Sequence, residues 1–237
     1  MKIINISSAY ASDWKSSIIR LLAEDFSKLS KKCLIIDNSS EVNSGFRRMY
    51  NMKNIAGIDA IMAFLKGEIL ESEQISDIIL GLDEDIDYIP NSEIESLDQK
   101  DLLYIISILE KMKKYDTVII ENQKSLSNDR FDITNVYMTR PCENILSNLK
   151  SLKKDYQYVV VNKFEKDFNM NCKKLGVYPI SYDKEIVLMD NGYKHNLSSQ
   201  TIEEIKSITS EILGFKDLLE ENTSQKRKRN LLELFKR

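Results

Sequence analysis

Short apolar runs rich in β-branched residues, several closing on an acid or an amide, alternate along this chain with longer stretches whose apolar residues fall at helical spacing. Lys2–Ser7 (KIINIS), Cys33–Asp37 (CLIID), Thr117–Glu121 (TVIIE), Asn135–Thr139 (NVYMT) and Tyr158–Asn162 (YVVVN) read as strands, with shorter ones at Ile86–Ile89 and Val177–Ile180. Helices are predicted over Ser16–Leu29, Gly57–Leu65, Ser72–Leu80, Leu97–Lys113, Pro141–Lys153 and Ile202–Ile212. Ser96 or Asp98 is placed to cap the fourth of these, and Pro141 suits the first turn of the fifth. Strands that are apolar on both faces and separated by helices predict an α/β fold: a doubly wound, mostly parallel sheet flanked by helices.

The 237 residues suffice for one such domain with a sizeable core. With no internal repeat and no Pro- or Ser-rich linker, one domain is expected over 1–214, followed by a charged segment over 215–237. His195 is the sole histidine, which excludes His-dependent triads and multi-histidine metal sites. The three cysteines, Cys33, Cys142 and Cys172, are far apart and fit a reducing compartment better than a disulfide framework, with Cys33 expected in the core. No apolar run is long enough to cross a bilayer and the first residues do not resemble a secretory leader, so a cytoplasmic location is expected. A net charge of −3 supplies no field that would draw nucleic acid.

Ligands of open α/β sheets bind beyond the carboxyl ends of the strands, which directs attention to Ser8–Ser17 (SAYASDWKSS). A phosphate-binding loop has the form G-x-x-x-x-G-K-[ST], its glycines letting backbone N–H groups close around phosphate. Alignment on Lys15–Ser16 puts Ala9 and Trp14 at the glycine positions, in a chain with only 7 glycines. Lys15 nevertheless follows a strand, opens a helix and precedes a hydroxyl. It reads either as a phosphate-binding lysine or as a solvated lysine at a helix start.

The layout over residues 1–213 resembles the MinD/ParA family of P-loop ATPases, and within it the CpaE/TadZ-like proteins that position pilus or secretion machinery. Lys15 lies 22 positions before Asp37 in LIID, which is the family's register. Tyr115–Ile120 (YDTVII) is similar to the family's YDxVIID, with Glu121 in place of the last aspartate. Val159–Asn162 resembles the strand whose asparagine contacts adenine, and Val177–Ile180 with Tyr182–Asp183 resembles the segment near the base. The resemblance implies ATP and Mg²⁺ as cofactors, bound weakly or lost. It places Lys15, Ser16, Ser17, Asn162 and Pro179 at the nucleotide and Ser16, Asp37 and Glu121 at the metal. From the residues alone, Asp37 and Glu121 also read as loop or capping acids, and Asn162 as a chain-turning residue.

Departures from the pattern fall on the chemistry. Tyr10 stands where the family sends a lysine across its dimer, and Ser39 where a second aspartate arranges the attacking water. Without these, hydrolysis is expected to be slow or absent. Trp14 either caps the core or occupies phosphate space. His195 is assigned no role.

Beyond the domain, Lys226, Arg227, Lys228 and Arg229 precede Leu231, Leu232, Leu234 and Phe235, which share one side of a short helix. Such a segment suits an anionic membrane surface or a partner groove, and resembles in type and position the C-terminal targeting helix of MinD proteins. The alternative is a solvated tail. The expected protein is a positioning or assembly factor, with a protein partner, a homodimer and peripheral membrane contact as its associations. An active ATPase switching between monomer and nucleotide-sandwich dimer is the alternative. A tyrosine-kinase-like relative is disfavoured, since the tyrosine-rich C-terminal cluster of such kinases is missing.

Overall fold

The structure is a computed structural model and describes residues 1–8, 14–29, 32–39, 44–53, 55–92, 95–141, 143–165, 172–190 and 196–214. In chain order the elements are β1 (Lys2–Ser8), α1 (Lys15–Leu29), β2 (Cys33–Asp37), α2 (Gly45–Met49), α3 (Ile58–Lys66), α4 (Ser72–Ile78), β3 (Leu80–Asp83) and β4 (Ile86–Ile89). They continue with α5 (Gln99–Met112), β5 (Thr117–Asn122), β6 (Ile133–Thr139), α6 (Glu143–Asp155), β7 (Tyr158–Phe164), α7 (Cys172–Leu175), β8 (Tyr178–Ser181), α8 (Lys184–Asp190) and α9 (Ser199–Leu213). The eight strands form one sheet in the order β3-β4-β2-β5-β1-β6-β7-β8.

Pairing is parallel throughout except between β3 and β4. The expected doubly wound sheet is therefore present, with one antiparallel edge that the sequence reading did not contain. The predicted helix over Ser72–Leu80 stops at Ile78, and Leu80–Asp83 turns back as a strand on β4. The half-exposed alternation in LGLD marks an edge strand, unlike the continuous apolar runs of the interior.

Alternation along the central strands divides the core between two faces. Ile4, Ile6, Cys33, Ile35, Ile119 and Val136 face α1 and α9, whose Ile18, Leu22, Phe26, Ile205 and Ile208 cover them. Ile3, Leu34, Ile36, Val118 and Ile120 face the opposite way, against Ile58, Ile61, Leu102, Ile105 and Leu109 of α3 and α5. Each such side chain contributes about 2 kcal/mol when fully buried, so the two apolar layers fix the sheet between its helices. Cys33 is fully buried, as expected.

Helix ends follow local chemistry. Asp98 caps α5 by accepting from the Asp101 N–H, and Ser198 caps α9 by accepting from that of Thr201. The latter cap starts the last helix at Ser199, three residues before the apolar pattern. Pro141 is not in the first turn of α6, which begins at Glu143; the proline sits two residues outside the helix. Gly57 caps α3 where a Cβ would run into the Pro90 carbonyl, so a scarce glycine is used for backbone approach. The segments holding Tyr10, Cys142, His195 and the tail residues Lys226–Phe235 lie outside the described residues.

Candidate nucleotide and metal site

Lys15 opens α1, and the strand order places its neighbours. Strand β5 lies between β1 and β2, with Asp37 registered against Glu121 and Ser7 against Asn122. The carboxyl ends of three adjacent strands thus deliver Asp37, Glu121 and the start of α1 to one place. The Lys15 ammonium sits 3.3 Å from Glu121 Oε1 and donates to the Asn122 carbonyl at 3.5 Å. Ser16 Oγ donates to Glu121 Oε2 at 3.1 Å. Lys15, Ser16, Asp37 and Glu121 are all buried.

A cation at a helix N-terminus opposes the positive end of the helix dipole, and a buried one needs a partner. Glu121 answers both demands. Lys15 is therefore not the solvated helix-start lysine that its sequence position also allowed.

The two acids carry strained electrostatics. Burial pushes Glu121 up to about 7; Lys15 pulls it down and the neighbouring Asp37 raises it further. Burial also raises Asp37, against hydrogen bonds from Ser39, Ser44 and Tyr88 that favour its ionised form. Ser39 donates its N–H at 3.1 Å and its hydroxyl at 2.6 Å to Asp37 Oδ1, while the Tyr88 hydroxyl reaches Oδ2 at 3.1 Å. Ser39 thus binds Asp37 through both its N–H and its hydroxyl.

This donor set fits Mg²⁺. One hydroxyl and two carboxylates are hard oxygen ligands, and one lysine leaves the acid pair short of positive charge. Among the described residues no group of three or more His, Cys, Asp or Glu side chains is arranged around a metal.

Several supporting groups carried no sequence signal. Asn38 accepts from the Leu97 N–H at 2.7 Å and donates to the Leu97 carbonyl at 3.0 Å and to Asn122 Oδ1 at 3.2 Å. It ties the end of β2 to the segment entering α5. An amide directly after the acid on each strand (DN, EN) is the only trace of this in the sequence.

The other expected site residues sit on α1, β7 and β8. Ser17 is fully buried behind Ser16 in α1. Asn162 is fully buried within β7, so it does not turn the chain. Pro179 is half-buried on β8, paired with Val161. Trp14 packs at the rim of the α1-side core, its ring centroid 5.3 Å from that of Tyr182, with Lys163 Nζ 4.5 Å from the indole centroid. The indole therefore reaches the ends of β7 and β8.

No family model and no curated protein matches the chain. Solved structures do. A plasmid partition protein of Borrelia burgdorferi bound to AMPPNP is 19% identical and superposes with a TM-score of 0.65 over 91% of this chain and 99% of that one. A chain of the MinC:MinD cell division protein complex of Aquifex aeolicus is 13% identical, with a TM-score of 0.66 over 90% and 96%. The septum site-determining protein MinD of Pyrococcus horikoshii, complexed with Mg-ADP, is 15% identical, with a TM-score of 0.61 over 92% and 97%. The eight-stranded, mostly parallel sheet between its helices is thus the fold of the ParA/MinD P-loop ATPases.

Proposed function

We propose that the protein is a positioning or assembly factor of the ParA/MinD type, nearest to the CpaE/TadZ-like proteins, which retains a Mg-nucleotide seat but hydrolyses ATP weakly or not at all. The observation that carries this reading is the convergence of Lys15, Ser16, Asp37 and Glu121, with Ser39 in place of a second acid. Lys15 would meet the terminal phosphates, and Ser16, Asp37 and Glu121 would hold the hydrated metal. Mg²⁺, when bound, supplies charge neutralisation on phosphate oxygens. Orienting a water for attack needs an acceptor beside it, and Ser39 instead donates its hydroxyl to Asp37.

The test is calorimetric titration of ATP·Mg²⁺ together with phosphate release, for wild type and Lys15→Ala. Binding without turnover, lost on substitution, is the expected result. Turnover abolished by Lys15→Ala would support the second reading, an active ATPase that switches to a nucleotide-sandwich dimer. That reading is favoured only by the intact hydroxyl–carboxylate pair of Ser16 and Glu121.

Partner binding and peripheral membrane contact are assigned to the basic, apolar tail residues Lys226–Arg229, Leu231, Leu232, Leu234 and Phe235. Liposome sedimentation with and without residues 226–237 tests the membrane role; equal partitioning excludes it. No helix among the described residues is long and apolar enough to cross a membrane. The acidic composition, with a pI near 5.5, supplies no overall positive charge to draw nucleic acid.

A further inference from the structure

Trp14 is held in an unusual way. Its φ of 55° lies in the left-handed region, which a bulky residue rarely adopts, and Lys163, beside it, has a φ of 53°. Two non-glycine residues thus sit in unfavourable backbone conformations at the point where their side chains meet. The Lys163 ammonium lies over the indole ring, 4.5 Å from its centroid, and Tyr182, more than half exposed, packs its ring against the indole at 5.3 Å, tilted by 46°. The buried amide of Asn162 precedes Lys163, and Pro179 lies on the adjacent strand.

This assembly has a fixed relation to the phosphate end of the site. Trp14 immediately precedes Lys15, and β7 and β8 lie on the far side of β1 from Asp37. A ligand with phosphates at Lys15 must run its remaining length along the strand ends in one of two directions. On the Asp37 side it meets the buried carboxylates of Asp37 and Glu121, which offer a base no stacking surface. Toward β7 and β8 it meets the indole. A cation over one face, an aromatic ring alongside and a neighbouring amide are what a flat bicyclic base requires, and indole has the size and shape of a purine.

We propose that the indole of Trp14 occupies the seat of a purine base between Lys163 and Tyr182, so that a purine nucleotide binds only as the indole leaves. This rests on the nucleotide-seat reading above. The residue that replaces the loop glycine is then an internal occupant of the site, and apparent affinity is reduced by the fraction of molecules in which it is seated.

Trp14 is the sole tryptophan of the chain, so its emission reports its own position. Wild-type protein titrated with ATP·Mg²⁺ should show a red-shifted emission and increased acrylamide quenching, while Mg²⁺-tripolyphosphate, which lacks a base, should leave both unchanged. By calorimetry, Trp14→Gly should bind ATP·Mg²⁺ at least about tenfold tighter than wild type, with tripolyphosphate affinity unaltered. Trp14→Ala, which keeps a Cβ, should gain similarly and guards against a Gly variant that folds poorly. ATP binding with no change in emission, or with equal affinity in wild type and both variants, overturns the indole plug and leaves the nucleotide reading standing. An equal gain for ATP and tripolyphosphate also overturns it, because Trp14 would then act on the phosphate loop. Absence of ATP binding in all three proteins overturns both.

Discussion

At the ends of β1, β2 and β5, Lys15 and Ser16 are buried and bonded to Glu121, with Asp37 buried in register beside it, whereas at the ends of β7 and β8 Trp14, Lys163 and Tyr182 meet through ring faces at the solvent edge. The first region is electrostatically tight: each group depends on the charge of the next. The second is held by contacts that are individually weak. A buried polar cluster and an aromatic contact therefore sit side by side along the same edge of the sheet.

The largest expected effect lies in the tight region. Lys15→Met leaves Glu121 buried without its cation and should cost about 3 kcal/mol at pH 8, read by urea denaturation. Near pH 5 the loss should shrink to about 1 kcal/mol, because Glu121 is then already neutral. Equal losses at both pH values would separate Lys15 energetically from Glu121.

Glu121 itself should impose a pH slope. Its folded value of about 7 lies above the ordinary 4.5, so its contribution to stability is full below about 4.5 and is lost as pH rises through 7. The raised Asp37 works in the same direction. Wild type should therefore lose about 3 kcal/mol across that window from Glu121 alone, and Glu121→Gln should flatten the profile. An unchanged slope in Glu121→Gln would assign the titration elsewhere.

A smaller effect is expected from Tyr88→Phe, which removes one hydrogen bond to Asp37 and should cost about 1 kcal/mol in the same assay. The smallest is Tyr182→Ala. With the ring more than half exposed, the loss should stay under about 1 kcal/mol, while Trp14 emission shifts to the red. A loss as large as that of Lys15→Met would erase the contrast between the two regions.

Much of the sheet was legible because its strands are continuous apolar runs, and Asp37 and Glu121 end two of them. The antiparallel β3 was not, since LGLD is too short and too mixed to separate from the helix before it. Nor was the start of α6, because Pro141 fits a first turn as readily as a position outside one. At the site, the residue types were readable but their roles were not. Lys15 had two open readings until β5 placed Glu121 beside it, and Ser39 registered only as a missing acid before its bonds to Asp37 were seen. Tyr88 and Lys163 gave no signal, since their partners are distant in sequence; Asn38 left only the amide-after-acid trace, and Tyr182 registered only within the segment that resembles the family's base-contacting one.

By itself, then, the sequence determined the α/β class, the strand–helix alternation and the identity of the lysine, hydroxyl and acids, because apolar periodicity and local residue type are properties of short segments. Only the tertiary structure decided which strands are neighbours. That choice joined Lys15 to Glu121, closed Asp37 with Ser39 and Tyr88, and carried the indole of Trp14 to β7 and β8, because contacts across a parallel sheet connect residues that no local pattern links.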